Sequence, residues 1–156
     1  MKLWDKGKNT DREIETFTVG DDYLTDQKLL LWDCIASIAH AMMLETKNII
    51  SENELKKIKS ALLEIINLDK QGKFIIKQEH EDCHTEIENF LTEKLGETGK
   101  KIHTARSRND QIMAALKLYM KNEIIETIGI CLDLSEGLVF IGEKNNVIMP
   151  GYTHMR

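Results

Sequence analysis

The stretch "DQIMAALKLYMKNEIIETIGICLDLSEGLVFIGEK" occupies residues 110–144 and contains no proline. As a helix it would be about 50 Å long, at roughly 1.5 Å per residue. One set of apolar side chains recurs every four residues, and further ones spread onto other faces. The first set is Ile112, Leu116, Met120, Ile124, Ile128 and Leu132; the others include Leu118, Ile125, Ile130, Leu134 and Phe140. Because a helix that is apolar on several sides is normally buried, the stretch predicts a helix within a bundle or an oligomer.

The residues before this stretch predict three further helices. The first, from about residue 24 to residue 46, carries a broad apolar stripe. Its members are Leu30, Ile35, Ile38, Ala39 and Met42. In the second, Ser51 followed three residues later by Glu54 predicts a capping box, and Gly72 predicts the break after it. The third lies within residues 80–96 and ends at Gly96. With a single proline in the chain, the fold class predicted is all-α.

Composition excludes several classes of protein. The chain has 156 residues and a net charge of -5, whereas nucleic acid and anionic membranes demand clustered cations. Its cysteines, Cys34, Cys83 and Cys131, form no CxxC pair, and their helical contexts predict small buried thiols in a reducing compartment. The first residues lack the apolar run of a signal peptide, and no apolar stretch reaches the length of a membrane span. A cytoplasmic protein is the expectation.

Residues 100–111, "KKIHTARSRNDQ", concentrate hydrogen-bonding groups just before the long helix. If Asn109 or Asp110 caps that helix, the loop lies at a helix N-terminus, where free N–H groups and the dipole favour an anion. Arg106 and Arg108 can each offer a planar fork to a carboxylate. Neutral donors are supplied by Thr104, Ser107 and Asn109. A small dicarboxylate or tricarboxylate would suit this set. The alternative is a solvated cap in which the arginines pair with Asp110 and nearby glutamates.

Histidines mark two further places where chemistry could occur. In "HEDCH", residues 80–84, His80 and His84 share a helix face at HExxH spacing, so a metal site has to be considered. The helix start is acidic and polar, which favours a hydrogen-bonded network or a substrate contact instead. His40 lies among small and apolar residues and is expected to be a hydrogen-bonded core histidine. His154 follows Thr153 and a Pro-Gly turn, a placement suitable for acid/base work.

Several segments taken together match one family. "HTARSRNDQ" (103–111), preceded by "HED-H" and followed by "MPGYTH" (149–154), closely resembles the argininosuccinate lyases of the fumarase/aspartase superfamily. "KLW" and "D-IASIAHAMML" fit the same family, so the resemblance covers essentially the whole chain. It implies a fumarase/aspartase-like fold with an N-terminal helical domain over residues 1–109. Residues 110–156 would then begin, in truncated form, the central helical bundle that assembles a homotetramer.

The resemblance also implies a reaction and roles for particular residues. Argininosuccinate would be cleaved into arginine and fumarate by elimination, without a metal or an organic cofactor. Removal of a proton beside a carboxylate creates a dianion, which clustered arginines and helix-terminal donors would stabilise. The residues implied to bind substrate are Arg106, Ser107, Arg108 and Asn109, with Asp82 and His84 supporting the pocket. Thr153 and His154 would line the reacting centre, with His154 in acid/base or orienting work.

Some features depart from the family pattern. Asp22 stands where relatives usually have a substrate-contacting serine, and Ala105 stands where many have glycine. The later mobile loop, with its proposed serine base, is absent from these 156 residues, so the chain by itself is expected to be an inactive N-terminal fragment. Two other functions stay open: a non-catalytic helical oligomerisation module derived from the lyase scaffold, and a small anion-binding protein that uses residues 106–109.

Overall fold

A computed structural model describes residue 17 and residues 20–145 of the chain. The regular elements of these residues are all helical, which confirms the all-α fold class. The α-helices from Asp22 onward are α1 (Asp22–Asp26), α2 (Leu30–Thr46), α3 (Glu52–Lys70), α4 (Cys83–Leu95), α5 (Glu97–Lys100) and α6 (Arg108–Lys144). Two 3-10 turns lie at Gln78–His80 and Lys101–His103. Over the described ranges, none of the helices has the length and apolar character that crossing a membrane requires.

Contacts divide the chain into two compact units, Met1–Tyr119 and Met120–Arg156. The division falls inside α6, because only the first turns of that helix belong to the first unit. The boundary predicted between residues 109 and 110 concerns the domain architecture of the family, and it stays a prediction.

The core of the first unit lies between α2, α3 and α4. Its fully buried large side chains are Leu30, Leu44, Ile58, Leu62, Ile65, Ile76, Ile87, Leu91 and Ile102. The spacing of Ile58, Leu62 and Ile65 puts them on one face of α3, as the periodicity predicts. This core is what fixes α2 and α4 beside the start of α6.

Local signals set the helix ends as expected. The Ser51 hydroxyl accepts a hydrogen bond from the Glu54 backbone N–H at 3.3 Å, and the Glu54 carboxylate accepts one from the Ser51 N–H at 2.8 Å. The predicted capping box of α3 is therefore confirmed. At the other end of α3, Gly72 has a positive φ of 67° and turns the chain, and Gly96 ends α4.

Gly99 lets the chain approach α4 closely just before the arginine-rich loop. A Cβ added at this buried position would lie 2.2 Å from the backbone oxygen of Leu91. Since such a contact is impossible for a real side chain, only glycine lets α5 pack against α4 here.

The apolar stripe of α2 is only partly buried, and the expectation that all three cysteines are buried is wrong in part. In α2, Ile35, Ala39 and Met42 are exposed, whereas Asp33 and Ser37 are fully buried. This polar pair faces inward, where it is hydrogen-bonded to His84, Gln111 and Arg106, and part of the apolar stripe faces outward. Among the cysteines, Cys34 and Cys83 are buried as predicted.

Cys131, the remaining cysteine, is exposed, and so are the large apolar side chains of residues 120–144. Each of these side chains has more than half of its surface accessible, with values between 52% for Met120 and 68% for Ile130. Within the described part of this chain, no other element covers these side chains, so the predicted burial of the long helix is not seen there.

Candidate functional site

The long helix begins with a second capping box. The Ser107 carbonyl accepts the first helical hydrogen bond, from the Gln111 N–H, and the Ser107 hydroxyl accepts from the Asp110 N–H at 3.3 Å. In return the Asp110 carboxylate accepts from the Ser107 N–H at 2.9 Å and from its hydroxyl at 3.0 Å. The expectation that Asn109 or Asp110 caps this helix is wrong, because Ser107 caps it and Asp110 closes the box. These Ser107 hydrogen bonds lower the pKa of Asp110.

Ala105, two residues before this cap, has a positive φ of 60°. The left-handed region costs a side-chain-bearing residue about 1–2 kcal/mol relative to glycine. A glycine would adopt this backbone conformation without that cost. Ala105 also shows that the loop is held in its conformation by contacts elsewhere.

Arg108 is oriented by the start of α4. Its Nη1 donates to Asp82 Oδ2 at 2.7 Å, and its Nη2 donates to Thr85 Oγ1 at 2.9 Å. Asp82 is also the N-cap of α4, since its Oδ1 accepts from the Thr85 N–H at 2.7 Å. One carboxylate thus ties the starts of two helices together. The Arg108 side chain keeps 30% of its surface exposed.

Arg106 turns inward rather than toward solvent. Its Nη2 donates to Ser37 Oγ at 3.1 Å, and its Nε is buried without a hydrogen-bond partner among the described residues. Burial lowers the pKa of Arg106, and the charges of Asp33 and Glu88 oppose that shift. The alternative in which both arginines pair with Asp110 and nearby glutamates is wrong in its partners, because the Asp110 carboxylate accepts hydrogen bonds from Ser107 and Arg108 pairs with Asp82.

Asp33 is the centre of a buried polar cluster that the sequence reasoning missed. His84 Nδ1 donates to Asp33 Oδ2 at 2.6 Å, and Gln111 Nε2 lies 3.0 and 2.9 Å from the two carboxylate oxygens. The Ser37 hydroxyl donates to Asp33 Oδ1 at 3.1 Å while accepting from Arg106. A signal was available, since an aspartate followed four residues later by a serine interrupts an apolar helix on one face.

The surroundings of His84 raise its pKa. Burial is the largest single effect and lowers the pKa of His84. The hydrogen bond to Asp33 and the charges of Asp33, Asp82 and Asp26 together raise the pKa by more than burial lowers it. His84 therefore tends toward the imidazolium form, whose charge the Asp33 carboxylate balances.

The other histidines have separate partners. His80 contacts Glu86, so His80 and His84 do not converge on one point as HExxH spacing would require of ligands. His40 is hydrogen-bonded as expected, although half-buried: its Nε2 donates to the Thr104 carbonyl at 2.9 Å. Its pKa is lowered, mainly by burial. This contact attaches α2 to the first residue of the loop that carries the arginines.

A different trio has the composition of a metal site. Ligand atoms of Asp26, Cys83 and His84 lie within 4.8 Å of one another. Burial and then the Asp33 charge raise the pKa of the Cys83 thiol far above its usual range, which opposes the thiolate that a metal needs. The His84 Nδ1 is engaged by Asp33, and Asp26 accepts from the Cys83 N–H at 3.1 Å. Protein hydrogen bonds therefore account for these groups without an ion.

The structure thus brings together most of the residues selected from the sequence. Arg106, Ser107, Arg108 and Asn109 lie at the start of α6, with Asp82 and His84 behind them at the start of α4. Ser107 and Asn109 are exposed. Thr153 and His154 lie outside the described residues. The result is a helix N-terminus flanked by an oriented guanidinium, a combination suited to binding a carboxylate.

Comparison with known proteins gives an independent line of argument. Residues 5–156 match the model of a family described as lyase. The chain is 50% identical over 156 residues to an argininosuccinate lyase of Thermotoga neapolitana, covering 99% of this chain and 39% of that protein. It is 39% identical to the argininosuccinate lyases of Parabacteroides distasonis and Xylella fastidiosa, covering 100% and 99% of this chain and 35% of each relative.

The chain therefore spans little more than a third of the length of the curated relatives that it matches. The family match itself extends over nearly all of the 156 residues. On that match, the chain belongs to the lyase family.

Proposed function

We propose that these residues form the carboxylate-binding part of an argininosuccinate lyase, a cytoplasmic enzyme that releases arginine and fumarate by elimination. The observation that carries the proposal is the start of α6, where Ser107 and Asn109 are exposed beside the Arg108 fork held by Asp82 and Thr85. The relatives are argininosuccinate lyases, which supports the choice of reaction.

The proposed elimination requires hydrogen-bond donors that bind a carboxylate more strongly as its negative charge grows. When a proton is removed from the carbon beside a carboxylate, negative charge moves onto the carboxylate oxygens. A helix N-terminus and a guanidinium that are already oriented stabilise that charge without further reorganisation. The hydrogen bonds of Arg108 to Asp82 and Thr85 supply this orientation, because they fix the guanidinium before a ligand arrives.

Other residues take supporting roles in the proposal. Asp82 orients Arg108, and His84 supports the pocket through Asp33. Thr153 and His154 would line the reacting centre, with His154 in acid/base or orienting work, and their assignment rests on the resemblance of "MPGYTH" to the family. No metal or organic cofactor enters the reaction as proposed.

Calorimetry with fumarate and succinate tests the binding site. We expect Arg108→Ala to abolish the binding that the unaltered chain shows, because both the positive charge and the fork are lost. Arg108→Lys should bind weakly, since it keeps the charge and loses the fork. Lys56→Ala is the control for net charge, since Lys56 lies on α3 in an exposed pair with Glu52. Equal affinity in Arg108→Ala and the unaltered chain would refute the assignment.

Turnover is a separate question. By resemblance the catalytic base belongs to a later loop that residues 1–156 do not contain, so the 156-residue chain by itself should release no fumarate from argininosuccinate. A spectroscopic assay for fumarate measures this directly. Robust turnover by the pure chain would contradict the proposed division of the active site.

A second candidate function is helical oligomerisation on the lyase scaffold. It is favoured by the apolar side chains of residues 120–144, which are more than half exposed. In the proposed enzyme the same surface would be covered by the helices of a homotetramer. A stand-alone oligomerisation module would associate without catalysing a reaction. This function predicts that the chain self-associates and has no affinity for dicarboxylates.

A further inference from the structure

We propose that Asp33 is a positioning residue for carboxylate binding, which holds the loop of residues 104–107 and the first turn of α6 in place without touching the ligand. The ligand-binding consequence rests on the proposed function. The positional role is a property of the first unit by itself. It is assigned from hydrogen bonds that join three elements at a single buried carboxylate.

The first step is the isolation of that carboxylate from water. Asp33 is fully buried, and a buried charge is tolerated only where donors surround it. Its donors come from different parts of the chain: Ser37 on α2, His84 on α4 and Gln111 on α6. Any movement of α4 or of the start of α6 away from α2 would break one of these bonds, and so the carboxylate resists such movement.

The second step connects Asp33 to Arg106. The Ser37 hydroxyl donates to Asp33 and accepts from Arg106 Nη2, so it relays the orientation of the carboxylate to the guanidinium. Two negative charges oppose the effect of burial on Arg106, and that of Asp33 is the larger. Without Asp33 the Arg106 guanidinium would lose the larger of these two counter-charges.

The third step connects Asp33 to the cap of the long helix. Gln111 is fully buried, and its Nε2 donates to both oxygens of Asp33. The backbone N–H of Gln111 donates to the Ser107 carbonyl, so the residue that fixes the first turn of α6 is itself fixed by Asp33. The first turn of α6, with the exposed residues Ser107 and Asn109, is therefore set in position by a carboxylate that solvent cannot reach.

Replacing Asp33 by asparagine keeps the shape and removes the charge. The amide has one oxygen to accept the hydrogen bonds of Gln111 and His84, and its own N–H₂ would face one of those donors. His84 and Arg106 would then be buried without their shared counter-charge. We expect the loop to loosen even where the helical core survives.

The experiment compares two variants with a matched control. Asp33→Asn removes the counter-charge, and Ser37→Ala removes the hydroxyl that bonds both Asp33 and Arg106 while the carboxylate stays. Ile58→Val, at a fully buried position on α3 that contacts neither arginine by hydrogen bond, serves as the control for lost stability. Circular dichroism establishes which variants fold. Calorimetry then measures the affinity for succinate.

Asp33→Asn should weaken succinate binding at least tenfold, Ser37→Ala should weaken it several-fold, and Ile58→Val should leave it within twofold. Unchanged affinity in both Asp33→Asn and Ser37→Ala would overturn the proposal. If Asp33→Asn does not fold, Ser37→Ala decides the question, because the core and the Asp33 bonds to His84 and Gln111 remain.

A ligand-independent measurement separates this inference from the proposed function. The charged and titratable groups near His84 are Asp33 on α2, Asp26 on α1, and Asp82 and Cys83 at the start of α4. NMR titration should show the His84 pKa falling in Asp33→Asn, and hydrogen exchange at Arg106 Nε should become faster in both variants. If the unaltered chain binds no succinate, the proposed carboxylate site is refuted. The His84 pKa and the exchange at Arg106 Nε still test the positional role of Asp33. Unchanged values in both would refute its positional role.

Discussion

Helix α3 and the part of α6 beyond Tyr119 have similar apolar spacing and opposite environments. In α3, Ile58, Leu62 and Ile65 are fully buried against neighbouring helices. In α6, Ile124 and Ile128 recur at the same kind of spacing, yet more than half of each side chain is exposed. The comparison teaches that periodicity identifies the surface that must be covered, whereas the covering element has to be supplied by the rest of the fold.

The two helices also differ in the shape of their apolar surface. The opposite side of α3 is charged, with Lys56 and Glu52 forming an exposed pair, so a single packed face is enough for it. Apolar residues of α6 lie on several sides, including neighbouring pairs such as Ile124 and Ile125. Helices on more than one side would be needed to cover them.

Neighbouring leucines on α3 provide the largest expected effect. Leu62→Ala removes a fully buried side chain, and the lost transfer energy plus the cavity should cost about 3 kcal/mol of unfolding free energy. Leu63→Ala, at a half-exposed position one residue away, should cost well under 1 kcal/mol. Urea unfolding of both variants, followed by circular dichroism, measures the difference. Equal losses would mean that the burial difference within α3 is wrong.

Association through the second unit tests the other side of the comparison. The double variant Ile124→Glu, Ile128→Glu should weaken self-association at least tenfold, because it places charges on the surface that partner helices would cover. Light scattering over a concentration series measures this. Ile75→Glu, which alters an exposed isoleucine of the first unit, is the control. A well-behaved monomer in the unaltered chain, or equal association in all variants, would contradict the need for cover.

The two capping boxes give a smaller and finer test. Ser51→Ala and Ser107→Ala should each cost about 1 kcal/mol, since each removes the hydroxyl that satisfies a free N–H at a helix start. Ser135→Ala, in the middle of α6, should change stability by only a few tenths of a kcal/mol, because its hydroxyl donates to the Cys131 carbonyl within the helix. Urea unfolding again provides the measurement. A Ser107→Ala cost near that of Ser135→Ala would show that Ser107 is not the effective cap.

Acid titration adds a check on the box that was predicted. The pKa of Glu54 is lowered to about 2, first by its hydrogen bond to Lys101 and then by those to Ser51. A carboxylate whose pKa is lower in the folded chain than in the unfolded chain stabilises the fold at pH values above the unfolded pKa. That contribution is lost as the pH falls toward 2. The loss of unfolding free energy caused by Ser51→Ala should therefore be smaller in acid, because the unaltered chain has then also lost the charged Glu54 carboxylate of the capping box.

Sequence reasoning selected candidate site residues from their chemistry, and it failed where the outcome depended on hydrogen-bond partners distant in the chain. It selected Arg106 and Arg108 because a guanidinium fork suits a carboxylate. It assigned them the wrong alternative partners, since Asp82 lies 26 residues from Arg108 and Ser37 lies 69 residues from Arg106. It passed over Asp33 and Gln111, whose side chains meet across 78 residues of chain.

The sequence by itself determined the helices, the Ser51 cap, the breaks at Gly72 and Gly96, and the resemblance to a lyase family. These features depend on residues a few positions apart, whose interactions follow from the geometry of a helical turn. Only the tertiary structure decided that Asp33 is buried, that Arg108 is held by Asp82, and that the apolar surface beyond Tyr119 lies uncovered within the described part of the chain. Burial and long-range hydrogen bonds depend on which elements pack together, and no short stretch of sequence specifies its partner.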